Sequence, residues 1–111
     1  MRREQSTILS AMELNGNPPN PGNVVPVADL SPATMSAVIA HLEVSTDFEH
    51  LVYRESELDA IWSISGFLLT YEPSRPDRAA IQRLHDNALV AHDLVAEGRA
   101  HEAAEILRSC I

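Results

Sequence analysis

The chain has 111 residues, enough for one domain, with an ordinary apolar fraction of 45%. Sixteen acidic residues stand against eight basic ones, all arginine, for a net charge of −8. That balance argues against nucleic acid and anionic membrane surfaces as partners, because both are held mainly by clustered cations.

Residues 1–14 read as a short helix, with Ile8, Leu9 and Met12 loosely spaced. The next stretch, NGNPPNPGN over 15–23, holds three prolines, two glycines and four asparagines, a composition that supports no regular element. VVPVADL, residues 24–30, reads as an extended strip along the surface, since Pro26 argues against a central strand. The expected organisation is a flexible Pro/Asn-rich arm and linker over 1–30, then a helical bundle domain over 31–111.

Ser31-Pro32 is a helix-start signal, serine as N-cap and proline at the first helical position. Met35, Val38, Ile39 and Leu42 follow at i, i+3, i+4 and i+7, which predicts an amphipathic helix over about 32–43. Thr46-Asp47-Phe48-Glu49 fits a capping box, with Phe48, Leu51 and Val52 on the apolar face behind it. Ser56-Glu57-Leu58-Asp59 offers another cap, so residues 47–71 are one long helix or two pieces broken near Glu55. Pro73 and Pro76 end the segment and place a loop at EPSRPD. Pro76 then opens a third helix, capped by Ser74 or Arg75, with Ile81, Leu84, Ala88, Ala91 and Val95 inward. Gly98 sits where a C-cap glycine belongs, and a last helix over about 100–109 turns Ala103, Ile106 and Leu107 inward. The fold class is all-α, a small antiparallel bundle of four to five helices.

Residues 60–69, AIWSISGFLL, carry no charge and are apolar on nearly every side. A strand is the alternative there, but the periodicity on both flanks is helical. A helix apolar all round is a buried one, so this segment is expected to be the hub, with Leu58, Ile61, Trp62, Leu68 and Leu69 inward. Ala60, Ser63 and Gly66 form a small-residue face that lets a neighbouring backbone approach. About 80 residues supply a thin core, and Val90 and Leu94 give the third helix a second apolar face. A homodimer is therefore expected, with Ile64, Phe67, Val90 and Leu94 as its surface; the competing arrangement has the strip 24–30 covering the gap.

Motifs for catalysis or cofactors are absent from the sequence. His85-Asp86 and His92-Asp93 repeat seven residues apart, about 10 Å along a helix axis, too far for two ligands of one ion. HExxH and Glu-x-x-His pairs, GxSxG, a P-loop and GxGxxG do not occur. Glu55 and Asp59 lie at i, i+4 and would share a proton only if buried. The single cysteine, Cys110, has no internal partner for a disulfide. No cofactor, no metal and no catalytic residue are expected. LVAEGRAHEAAEIL resembles the turn of a tetratricopeptide-type hairpin over about 14 residues, but no second unit lies 34 residues away. The opening residues lack the apolar core of a signal peptide, and no run approaches the ~20 apolar residues of a membrane span. Cytoplasmic residence with no membrane is expected.

The negative charge is concentrated. Glu43, Asp47, Glu49, Glu55, Glu57 and Asp59 against Arg54 put −5 of the total −8 into residues 43–59. Glu49, Glu57 and Asp59 are the expected exposed members of a patch that docks a basic protein partner, with Tyr53 and Arg54 at its rim. The leading expectation is a small acidic interaction module, an adaptor or regulator of bacterial or phage type, without catalysis. Two other readings compete with it. One is a DNA-associated regulator using the 76–110 hairpin and the Arg2-Arg3 arm; the other is a small metal-dependent enzyme.

Overall fold

The computed structural model describes residues 19–110. The helix expected within 1–14 and the Arg2-Arg3 pair lie outside them. Among the described residues there are four helices and no strand: α1 (Pro32–Val44), α2 (Phe48–Tyr71), α3 (Arg78–Ala96) and α4 (Ala100–Arg108). None of these is long and apolar enough to cross a membrane.

The helix boundaries follow from local chemistry. The Ser31 hydroxyl caps α1 by accepting the Thr34 backbone N–H at 3.2 Å, and Pro32 supplies the first-turn residue that needs no hydrogen bond. Residues 47–71 form one continuous helix, so Glu55 is not a break. Asp47 stands at its N-cap without a side-chain capping bond, and the expected capping box is not closed. At the far end the Glu72 N–H still reaches the Leu68 carbonyl, and Pro73 cannot continue the ladder. Asp77, not Ser74 or Arg75, occupies the N-cap of α3. Arg75 spans the loop before it, pairing Glu72 at 2.7 Å and Asp77 at 2.9 Å. Helix α3 ends in a Schellman motif: Gly98 takes φ +81°, its N–H reaches Val95 O, and the Arg99 N–H reaches Leu94 O at 2.7 Å.

The inward stripes of α1 and α3 are those the spacing predicts: Met35, Val38, Ile39 and Leu42 on α1 and Ile81, Leu84, Ala88, Ala91 and Val95 on α3 are all buried. Helix α4 adds Ala100, Ala103, Ala104 and Leu107. Alanines on α3 and α4 bring those backbones close. Helix α2 packs mainly against α3, and α4 fills the space between α3 and α1.

The hub expectation holds for only half of α2. Leu58, Ile61 and Ser65 are fully buried, but Trp62 is 40% and Phe67 56% exposed. Leu68 and Leu69 are half-buried and Ser63 is exposed, so the small-residue face is not uniformly covered. Phe48 and Val52, expected on the apolar face, are exposed as well. The reason is the neighbour: α3 covers one flank, where Trp62 stacks on His85 with ring centroids 5.3 Å apart. Gly66 lies beneath the same imidazole, and a Cβ there would meet His85 Cε1 at 3.1 Å.

The strip before α1 is not a free linker where it crosses α2. Val25 is buried, and Val27 and Leu30 pack against the core.

Candidate functional site

Buried charge sits at the centre of α2. Arg54 and Glu57 are 0% and 2% exposed, paired through Arg54 Nη2 and Glu57 Oε2 at 2.8 Å. Both expectations for these residues are corrected: Glu57 is not an exposed member of the acidic patch, and Arg54 is not at its rim. Glu57 stands one residue, about 100° of helix, before the fully buried Leu58. That flank is covered by residues 23–27. Glu57 Oε2 accepts the Val25 N–H at 2.7 Å, and Arg54 Nη2 donates to the Asn23 carbonyl. Arg54 Nη1 donates to the Ser45 hydroxyl at 3.3 Å. Burial pushes the Glu57 carboxyl above its ordinary value, against the downward pull of the Val25 N–H and the guanidinium.

The remaining acids of 43–59 are dispersed. Glu49 and Asp59 are exposed, but ten residues separate them, about 15 Å along the helix. Glu43 pairs with Arg108, Asp47 lies near His50, and Glu55 and Asp59 flank His92 at 3.8 and 3.5 Å. Of the six acids, Glu43 and Glu57 have an arginine partner, and Asp47, Glu55 and Asp59 each lie within 4 Å of a histidine. Arg99, the other cation of the α4 segment, is held between Glu97 and Glu102.

One cluster has the outline of chemistry. The Ser65 hydroxyl lies 2.8 Å from His85 Nδ1, as a nucleophile would from its base. Ser65 is sealed at 0% exposure and also donates to the Trp62 carbonyl, so no substrate reaches its oxygen in this arrangement. Among the described residues no three His, Cys, Asp or Glu side chains are grouped to hold a metal ion.

The open feature is a groove of about 790 Å³ between residues 28–32, the second half of α2, the start of α3 and Cys110. Leu30, Met35, Ile64, Leu68, Ile81 and Leu84 make its apolar lining, with Asp29, Arg75 and Asp77 also lining it. Ile64, Phe67, Leu68 and Tyr71 fall at i, i+3, i+4 and i+7, a second stripe on α2, half-buried at Ile64 and Leu68, that no other helix among the described residues covers fully. Tyr71 is 70% exposed and packs on Phe67 with ring centroids 4.8 Å apart. Asp29 is held below its ordinary carboxyl value by the Ser31 N–H and the Ser31 and Thr34 hydroxyls, and Asp77 by hydrogen bonds from Arg75. Two carboxylates, Asp29 and Asp77, and one guanidinium, Arg75, thus stand at the groove's charged edge.

The four residues expected to form a dimer surface do not share one. Ile64 lines the groove and Phe67 flanks it, whereas Leu94 packs on the core and Val90 lies about 120° round α3 from Leu84. The sequence reading missed the groove because its walls come from segments distant in the chain. The signal present was the second stripe on α2.

No protein-family model, curated protein or solved structure matches the chain.

Proposed function

We propose that this chain is a small helical protein-interaction module that acts by contact rather than catalysis, and that its contact surface is the groove beside α2. The observation that carries the reading is the incompletely covered stripe Ile64, Phe67, Leu68, Tyr71 beside an apolar cleft with an acidic edge. Such a cleft suits the apolar face of an amphipathic helix laid along it. The excess of carboxylates at its edge and the chain's net −8 favour a segment carrying arginine or lysine on its polar side. The basic partner expected from the sequence is thus retained, and its docking place moves from Glu49, Glu57 and Asp59 to the groove.

The test is a display selection of random 16-residue peptides against the intact chain. Recovered peptides should combine apolar residues at i, i+3, i+4, i+7 with net positive charge. They should bind Phe67→Asp/Tyr71→Asp at least about tenfold more weakly, while Glu49→Gln/Asp59→Asn leaves them unaffected. Both pairs are exposed, so neither should unfold the domain. Peptides indifferent to Phe67 and Tyr71 would remove the groove as the contact surface.

A further inference from the structure

The strip over α2 is gripped in an unusual way. Its buried contacts to α2 run from its own backbone to two charged side chains: Asn23 offers its carbonyl to Arg54 and Val25 offers its N–H to Glu57. A C=O at one residue and an N–H two residues on are what any extended backbone presents along one edge. Side chains add an alternating pattern, with Val25 buried, Val27 half-buried, and Val24 and Pro26 exposed. Capacity for further hydrogen bonds remains in the clamp, because buried Arg54 Nε and Glu57 Oε1 have no partner among the described residues. Nor does the start of α1 depend on residues 23–27. Its start is fixed locally, by Asp29 Oδ1 accepting from the Ser31 N–H and the Thr34 hydroxyl, each at 2.9 Å, and by the Ser31 cap.

We propose that Arg54 and Glu57 form a clamp for an extended apolar backbone, and that residues 23–27 are an exchangeable occupant which the same segment of a second copy replaces. A second copy is the occupant the fit favours, because it brings the identical Asn23–Val27 sequence. The bend at Ala28 marks the hinge, and Asp29 with everything beyond it keeps its contacts whichever arm fills the clamp. Reciprocal exchange then gives a twofold dimer. The tethered arm competes at an effective concentration on the order of millimolar, so exchange emerges only as the chain approaches that range. The exchange and the groove share Ala28, which lines the groove, but Phe67 and Tyr71 take no part in the exchange.

Light scattering on the intact chain, from about 10 µM to about 1 mM, tests it. The mass should climb from monomer toward dimer. Excess synthetic peptide of residues 19–30 should return it to monomer, whereas the same peptide N-methylated at Val25, which lacks the N–H that Glu57 accepts, should not. A mass that stays monomeric throughout overturns the proposal. So does a dimer that the unmodified peptide leaves intact, or that both peptides dissolve equally. The probes are peptides, so no variant of the chain has to fold.

Discussion

Replacing Arg54 by methionine leaves the Glu57 carboxylate buried at 2% exposure with only the Val25 N–H to answer it. Replacing Glu57 by leucine leaves a fully buried guanidinium with the Ser45 hydroxyl and the Asn23 carbonyl. Breaking a buried pair from one side costs about 3–5 kcal/mol, because the surviving charge keeps its desolvation penalty and loses its partner. A chain of 111 residues has roughly 5–15 kcal/mol in total, so each single variant removes about a fifth or more of it. The double variant Arg54→Met/Glu57→Leu buries no charge and keeps similar volume, and should cost no more than about 1–3 kcal/mol, for the Val25 N–H left without its acceptor. The non-additivity is therefore at least about 3 kcal/mol. Urea unfolding of all four proteins, followed by circular dichroism at 222 nm, measures it. Single variants each costing under about 1 kcal/mol, or a double variant as damaged as the sum of the singles, would refute the assignment of this pair as sealed and mutually dependent.

Gly98→Ala should cost about 1 kcal/mol, since a Cβ there meets nothing within 4 Å and only the positive φ is penalised; a fall in the urea midpoint with unchanged slope is the readout. Gly66→Ala should displace the His85 ring from Trp62, visible as a change in tryptophan fluorescence with the fold intact. Glu57 sets a pH signature. Its folded carboxyl is raised above the ordinary 4.5, so the folded state holds that proton more tightly than the unfolded chain. As pH falls from neutral toward about 4.5 the parent should gain stability relative to Glu57→Gln, and the gain should level off below it. Asp29, Asp77 and Glu102 shift the other way; their contribution is present above their ordinary values and fades as pH falls through the lowered ones. It is common to both proteins, so the difference isolates Glu57.

Much of the fold is legible in the sequence because its signals are local. The Met35–Leu42 and Ile81–Val95 stripes, the Ser31-Pro32 start and the Gly98 stop each depend on residues within a few positions, and each is where spacing puts it. What escapes is set by neighbours across the chain. Glu57 looks like any solvated helix acid until a strip 32 residues earlier lies across it. Trp62 and Phe67 have core composition, but they stand about 140° apart round α2, and the other described helices cover neither fully. The one hint of the buried pair was Arg54 itself, a lone cation three residues from Glu57 in an acid-rich stretch. The groove has no sequence signature beyond a second apolar stripe, since its walls come from residues 28–32, α2, α3 and the chain's end.

Titration of the isotope-labelled chain with a selected basic amphipathic peptide, followed by amide chemical shifts, bears most directly on the claim that the groove is the contact surface. The shifts should concentrate on Leu30, Ile64, Leu68, Ile81 and Leu84, with Glu49 and Asp59 unmoved. Shifts centred on Glu49 and Asp59, with the groove amides silent, would contradict it.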